Sequence, residues 1–315
     1  MQMTSLAYRR VKDALDNRQF IVLDGGTGTE LQRRGVAMDP AAWCGPATLN
    51  NDELLTQIHL DYIVAGADVI TANTYASSRL MLTPAGHADQ IIEINQRAVA
   101  AAMRARDSVD SSERVAVAGS LSHMVPMPVG GAAVHLSAAF SPAQMSDAFH
   151  ELAHILKDAG VDHLMLEMMY NPVRIPLAVE AALSTGLPIW FGLSARRSND
   201  GALLSFDQLE DIPLQDIVDL IPDAGIDAAG VMHTTSETIS AALDLVRVKF
   251  EGPLMAYPDS GHFEMPDWHF VDTISPARLH DYFHEWIGHG ARILGGCCGL
   301  TVEHIEAACQ AAKNA

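Results

Sequence analysis

The chain has 315 residues, of which 49% are hydrophobic and 19% charged, so it can bury a large core in one or two domains. Its formal net charge of -19 argues against a nucleic acid or an anionic membrane surface as partner, because both would repel the protein. A small molecule is the better expectation for a ligand.

Residues 1–20 carry charges throughout and lack the apolar centre of a signal peptide. No apolar run in the sequence reaches the ~18 residues that span a bilayer. The four cysteines, two of them adjacent, do not form a disulfide framework, which agrees with a reducing compartment. We therefore expect a cytoplasmic protein.

Short apolar runs alternate with longer helical patterns along the chain. The predicted strands are residues 20–24, 67–71, 115–119, 163–167, 188–193, 228–232, 253–257 and 291–295. The predicted helices are residues 52–65, 88–106, 142–159, 173–184, 212–222, 235–249, 275–287 and 302–313. This alternation indicates a parallel sheet, and its closure into a single-domain (β/α)8 TIM barrel over residues 1–315 is favoured. An open doubly wound sheet is the alternative.

In a (β/α)8 barrel, the active-site groups lie at the C-terminal ends of the strands and in the loops that follow them. Three stretches after predicted strands are too long to be simple connections, namely residues 25–51, 120–141 and 258–274. They are rich in Gly, Pro, Met and Trp, and we expect them to form lids or pocket walls.

The last predicted strand ends in the sequence Gly295-Gly296-Cys297-Cys298-Gly299, called the cysteine turn below. Flanking glycines let the backbone bend until both sulfurs face one point, which suits a soft metal such as Zn²⁺. The alternative is a pair of buried thiols at a crowded turn. A disulfide between neighbours is disfavoured, because consecutive Cα atoms are about 3.8 Å apart and disulfides need about 4.4–6.8 Å.

Further motifs precede the cysteine turn along the chain. They are Asp24-Gly25-Gly26-Thr27-Gly28-Thr29-Glu30-Leu31, Trp43, His59-Leu60-Asp61-Tyr62, Ala65-Gly66-Ala67-Asp68, Asn73-Thr74-Tyr75, Glu167, Tyr257-Pro258, Ser260-Gly261 and Trp268. With the cysteine turn, they resemble the homocysteine S-methyltransferase family over residues 20–313. The resemblance implies a (β/α)8 barrel that transfers a methyl group to the thiol of homocysteine, giving methionine.

The resemblance also implies a zinc ion held by three cysteines, one after the sixth strand and a pair after the eighth. Cys297 and Cys298 match the pair, whereas the third position is His233 in this chain. Histidine is itself a zinc ligand, so we expect His233, Cys297 and Cys298 to bind Zn²⁺ and to leave one position open. Two alternatives remain. In the first, His233 is a core histidine in a site that has lost its metal. In the second, Cys44 supplies the missing sulfur ligand.

For the methyl acceptor, the resemblance implies that Asp24 and Glu167 hold the ammonium group of homocysteine, and that backbone amides near Gly25 and Gly26 hold its carboxylate. Charged oxygen acceptors suit an ammonium group, and the exposed N–H groups of a glycine turn suit a carboxylate. We expect no catalytic side chain beyond the metal ligands.

Asn73 and Tyr75 follow the second predicted strand, and we also expect them to contact the substrate. The methyl donor is not named by the sequence, because the residues after the third strand depart from the family's pattern. A sulfonium or quaternary ammonium donor would lie against aromatic faces. Trp43, Tyr75, Tyr257 and Trp268 are the candidates. The alternative is that these rings only line the barrel mouth.

Two functional classes remain open. The first is a zinc-dependent methyltransferase with homocysteine and a small donor as partners, and the second is a metal-free amino-acid-binding or regulatory relative. A hydrolase with zinc-activated water is disfavoured, because thiolate-rich sites prefer soft ligands. His150 and His154 are spaced i, i+4 on a predicted helix, but no third ligand follows, so we interpret them as ordinary side chains. The sequence predicts no oligomeric state.

Overall fold

A computed structural model describes residues 4–109, 115–126, 140–264 and 269–315. Eight parallel strands form one sheet at its centre. These strands are Ile21–Val22 (β1), Val69–Ala72 (β2), Ala116–Ser122 (β3), His163–Met169 (β4), Ile189–Leu193 (β5), Ala228–Met232 (β6), Leu254–Tyr257 (β7) and Ala291–Leu294 (β8). Their spatial order is β1-β8-β7-β6-β5-β4-β3-β2, and each corresponds to a predicted strand.

The two outer strands of this sheet meet each other and close the ring. Leu23 pairs with Val69 in parallel, and the Asp68 N–H donates to the Val22 carbonyl oxygen at 2.8 Å. The predicted (β/α)8 TIM barrel is therefore confirmed.

Helices surround the barrel. They are Leu6–Asp16, Thr27–Arg33, Thr48–Ala65, Arg79–Leu82, Ile91–Asp107, Pro142–Ala159, Arg174–Thr185, Leu214–Val218, Ser236–Lys249, Pro276–Gly288 and Val302–Asn314. The helix predicted over residues 212–222 is limited to Leu214–Val218, with Pro213 as its N-terminal cap. Several helices end at glycines in the left-handed conformation, as at Gly66 and Gly160, where a side chain would be strained.

The helix Leu6–Asp16 was not predicted, and it fills the N-terminal end of the barrel. Its apolar side chains, among them Tyr8 and Val11, pack against the barrel interior. The Tyr8 hydroxyl donates to Asp227 Oδ2 at 2.7 Å and accepts from Trp190 Nε1 at 2.9 Å. Packed and hydrogen-bonded side chains therefore close the barrel interior at this end.

Two small antiparallel hairpins extend the C-terminal end of the barrel. One pairs Ala195–Arg197 with Leu203–Ser205, and the other pairs His262–Glu264 with His269–Val271. Residues 127–139 and 265–268, which belong to two of the predicted long loops, lie outside the described residues, and so does the candidate Trp268. Of the helices in the described part of the chain, none has the length and apolar character needed to cross a bilayer.

Candidate metal centre and substrate pocket

The cysteine turn is fixed against the ends of two strands. Cys297 donates its N–H to the Pro258 carbonyl oxygen at 2.8 Å, and Gly296 donates to the Asp24 carbonyl oxygen at 3.0 Å. Gly299 adopts a φ of +78°, and a Cβ there would collide with a backbone oxygen. Glycine is therefore needed at this position for the turn to approach its neighbours.

The side chains of His233, Cys297 and Cys298 converge at the mouth of the barrel. Cys297 Sγ lies 3.8 Å from Cys298 Sγ and 3.6 Å from His233 Nδ1, and ligand atoms of all three residues lie within 4.8 Å of one another. A tetrahedral Zn²⁺ with bonds of about 2.3 Å to sulfur and 2.0–2.1 Å to nitrogen would hold two sulfurs about 3.8 Å apart, and sulfur and nitrogen about 3.6 Å apart. The donor atoms fit zinc in type, and two of the three donor pairs have the spacing of zinc ligands.

His233 follows β6 and has a φ of +40°, which is uncommon for a residue with a Cβ. Its N–H donates to the Tyr257 carbonyl oxygen at 3.1 Å, and its ring packs edge-on against Phe206 at 5.1 Å between centroids. Burial lowers the pKa of His233, but Asp259 and Cys297 raise it by more, to about 9. The imidazole is thus held by its backbone, by an aromatic neighbour and by nearby negative charge.

The two predicted ammonium-binding carboxylates, Asp24 and Glu167, are both buried at the same end of the barrel. Asp24 accepts the Thr71 N–H on Oδ2 at 2.6 Å and the Thr71 hydroxyl on Oδ1 at 3.1 Å, while Glu167 accepts from the Ser120 hydroxyl. Burial raises the pKa of Asp24 to about 8 and that of Glu167 to about 7, against the opposing effect of these hydrogen bonds. A bound cation would favour the charged form of both groups.

Gly25 and Gly26 allow the first βα turn to pack closely. A Cβ on Gly25 would lie 2.8 Å from Tyr62 Oη, and one on Gly26 would lie 2.7 Å from the Cys297 carbonyl oxygen. The Gly26 N–H donates to the Leu300 carbonyl oxygen at 2.9 Å, so it is already engaged within the protein. The two glycines therefore join the first turn of the barrel to the cysteine turn.

Asn73 and Tyr75 occupy different environments. Asn73 is buried, and its amide nitrogen donates to the Cys44 carbonyl oxygen at 2.9 Å and to Thr48 Oγ1 at 3.2 Å. The Cys44 thiol donates to Asn73 Oδ1 at 3.1 Å. Asn73 thus holds the loop around Cys44, whose sulfur is not among the clustered metal donors of the described residues. Tyr75 is half-buried, and its hydroxyl donates to Met168 Sδ at 2.8 Å.

Comparison with known proteins gives the family of the chain. Residues 21–312 match the family model described as Homocysteine S-methyltransferase. The chain belongs to the homocysteine S-methyltransferase family. It is therefore a methyltransferase, as the sequence predicted.

Relatives of this methyltransferase cover nearly its whole length. Homocysteine S-methyltransferase of Escherichia coli (strain K12) is 31% identical over 314 residues, which is 93% of this chain and 95% of the relative. Homocysteine S-methyltransferase 2 of Zea mays is 27% identical over 319 residues, covering 96% and 91% of the two chains. The crystal structure of the homocysteine methyltransferase MmuM from Escherichia coli in its metallated form superimposes with a TM-score of 0.72 at 27% identity, covering 95% and 98%.

Two pairs of aromatic rings occur in this methyltransferase among residues that follow barrel strands, and one ring, that of Phe206, contacts His233. Trp43 and Tyr75 pack edge to face at 6.2 Å, and Tyr170 and Phe206 do so at 5.9 Å. Tyr170 and Phe206 were not among the predicted site residues. The sequence could have predicted Tyr170 as a site residue, because it directly follows β4. Phe206 could not be predicted in this way, because the hairpin after β5 places it.

Like His233, two other residues with side chains near the C-terminal end of the barrel have a positive φ. Trp43 has a φ of +49° and Met168 a φ of +53°, and such values cost energy in residues with side chains. Met168 also interrupts the pairing register between β4 and β5. Functional sites commonly concentrate such strain.

Proposed function

We propose that the protein transfers a methyl group from a small sulfonium or quaternary ammonium donor to the thiol of homocysteine, giving methionine. Zn²⁺ would be held by His233, Cys297 and Cys298. The proposal is carried by the spacing of 3.6 and 3.8 Å between these donor atoms. Bound there, Zn²⁺ would lower the pKa of the acceptor thiol so that a thiolate is present at neutral pH.

Asp24 and Glu167 are proposed to bind the ammonium group of homocysteine. Both carboxyl groups are buried, and burial holds the pKa of each well above its ordinary value near 4. An ammonium group between them would replace part of the hydration they have lost, through charge-assisted hydrogen bonds. Ser120 would orient Glu167 for this contact, because its hydroxyl donates to one carboxylate oxygen.

The carboxylate of homocysteine is proposed to lie against the first βα turn. Glycine turns present N–H groups that suit an anion. The Gly26 amide is bonded to Leu300, so the turn would have to use its other amides, beginning with that of Gly25. Tyr75 is also proposed to contact the acceptor.

In the transfer itself, a lone pair of the acceptor sulfur attacks the methyl carbon of the donor. The carbon–sulfur or carbon–nitrogen bond of the donor breaks, its electron pair stays with the donor, and the donor leaves as a neutral thioether or amine. The thiol proton is released on formation of the thiolate. Aromatic faces at the mouth, such as those of Trp43 and Tyr170, would favour the cationic donor over its neutral product.

A reducing cytoplasm is the proposed place of action. Cys297 and Cys298 are free thiols in the structure, and adjacent thiols at a partly exposed mouth are preserved where glutathione and thioredoxin keep cysteines reduced.

The proposal is tested by assaying purified protein with homocysteine and a panel of sulfonium and quaternary ammonium donors, following methionine. Zinc content should be measured on the same preparation, without added metal. We expect about one zinc per chain and methionine formation with at least one donor. A protein that binds homocysteine but contains no metal and transfers no methyl group would instead be an amino-acid-binding or regulatory relative.

A further inference from the structure

His233 presents its two ring nitrogens to different partners. Nδ1 faces Cys297 Sγ at 3.6 Å, whereas Nε2 lies 3.8 Å from Asp259 Oδ2. The side chains of His233 and Asp259 are only 15% and 19% exposed, so water screens their interaction weakly. The ring therefore lies between the metal-donor sulfurs and a carboxylate.

Asp259 is fixed in place by the backbone around it. The preceding residue, Pro258, accepts the Cys297 N–H at 2.8 Å, and the following residue, Ser260, donates its N–H to the Cys298 carbonyl oxygen at 3.0 Å. His233 is tied to the same segment through the Tyr257 carbonyl oxygen at 3.1 Å. The carboxylate thus belongs to the same rigid unit as the three proposed ligands.

The hydrogen-bonding capacity of Asp259 is not used up by the described residues. Its Oδ1 atom is buried and has no hydrogen-bond partner in the described part of the chain. A separation of 3.8 Å between Nε2 and Oδ2 is longer than a hydrogen bond, and a small rotation of either side chain would close it.

We infer that Asp259 is a positioning residue of the metal centre, which accepts a hydrogen bond from Nε2–H of His233 and so directs Nδ1 to the metal. The inference rests on the metal site of the proposed function. Histidine ligands commonly donate their second N–H to a carboxylate, which sets the tautomer and the ring orientation. Two thiolates and one neutral imidazole balance the charge of a divalent ion, and Asp259 adds one negative charge beside that neutral set.

The inference is tested by measuring zinc affinity, by chelator competition, in four proteins: wild type, Asp259→Ala, His233→Cys and the double variant. In the wild-type background, Asp259→Ala should weaken zinc binding about 10- to 100-fold, as loss of such a partner does elsewhere. In the His233→Cys background, the same change should alter affinity by less than about 3-fold, because no imidazole remains to be oriented. Asp158→Asn on an exposed helix face controls for the change in net charge.

A second measurement does not depend on the His233→Cys variant folding. In zinc-loaded wild type with ¹⁵N-labelled histidine, NMR should show His233 with its proton on Nε2 and its metal bond at Nδ1. Ligation through Nε2, unchanged affinity in Asp259→Ala, or an equal loss in both backgrounds would overturn the role of Asp259. A wild type that binds zinc with this pattern but forms no methionine would refute the proposed function and leave the role of Asp259 standing.

Discussion

Thr71 binds both carboxylate oxygens of Asp24, through its N–H at 2.6 Å and its hydroxyl at 3.1 Å. Because Thr71 belongs to β2 and Asp24 follows β1, these bonds lie across the seam where the barrel closes. Asp24 therefore has a structural role besides any contact with substrate. A substitution of Asp24 would disturb closure as well as binding, so Glu167 is the better residue for testing the ammonium pocket.

Glu167→Gln keeps the size of the side chain and removes its charge. We expect homocysteine affinity to fall by about 1.5–3 kcal/mol, or roughly 10- to 150-fold, because a hydrogen bond to a charged group is lost. Calorimetric titration of the folded variant measures this. Glu180→Gln, on an exposed helix face, is the matched control and should bind like wild type. Equal affinities for Glu167→Gln and wild type would remove Glu167 from the pocket.

Cys298→Ala removes one of three proposed ligands, and we expect zinc content to drop from about one per chain to near zero after dialysis against a mild chelator. Elemental analysis measures this directly. Cys309→Ala is the control, because Cys309 is a buried cysteine on the helix Val302–Asn314 and should leave the zinc content unchanged. Metal retained in a Cys297→Ala, Cys298→Ala double variant would show that the site is wrongly placed.

His233→Cys should still bind zinc, because thiolate and imidazole are both good zinc ligands, and methyl transfer should survive. His233→Ala should lower metal affinity and activity together, because it leaves two protein ligands. Zinc content and methionine formation are measured on the same samples. If wild type lacks zinc and His233→Cys gains both zinc and activity, the wild-type protein is a relic that has lost its metal chemistry.

His163 lies in the barrel core between Tyr8 and Trp190, with ring centroids at 5.0 and 4.6 Å. Burial lowers the pKa of His163 to about 3. The unfolded chain takes up this proton below its ordinary pKa near 6.5, and the folded protein does not, so the free energy of unfolding falls as pH drops from about 6.5 to about 3.

His163→Phe should remove this part of the acid sensitivity. Between pH 8 and pH 5, the free energy of unfolding of wild type should fall by about 2 kcal/mol more than that of the variant, since each pKa unit is about 1.36 kcal/mol. Urea unfolding at the two pH values measures the difference. His154→Gln, on an exposed helix face, is the control for the loss of a histidine elsewhere in the chain. An unchanged slope in His163→Phe would show that His163 does not set it.

The eight barrel strands could be predicted because each is a short apolar run between helical patterns, and such local patterns survive in the sequence. The helix Leu6–Asp16 was missed although its buried Tyr8, Val11 and Leu15 recur at helical spacing, because it precedes the first strand and lies outside the alternation of strands and helices. The side chains that it packs against come from strands far along the chain. Local sequence does not show such partners.

In the candidate site, the residue types at strand ends were recognisable, but their mutual contacts were not. His233 and Asp259 approach each other because β6 and β7 are neighbours with Met232 opposite Tyr257. Asn73 stays a predicted substrate contact, and only the folded loop shows that its amide nitrogen also donates to Cys44 and Thr48. Such competition between partners depends on packing, which the sequence does not display.

The contact between Gly299 and Thr29 joins residues 270 positions apart, at 2.9 Å from N–H to hydroxyl. During synthesis, the first βα turn leaves the ribosome long before the cysteine turn does. The nascent chain can therefore form strands and helices while it still lacks two of its proposed metal donors. Uptake of the proposed zinc would then follow ring closure, because a chain stopped before residue 295 lacks both Cys297 and Cys298.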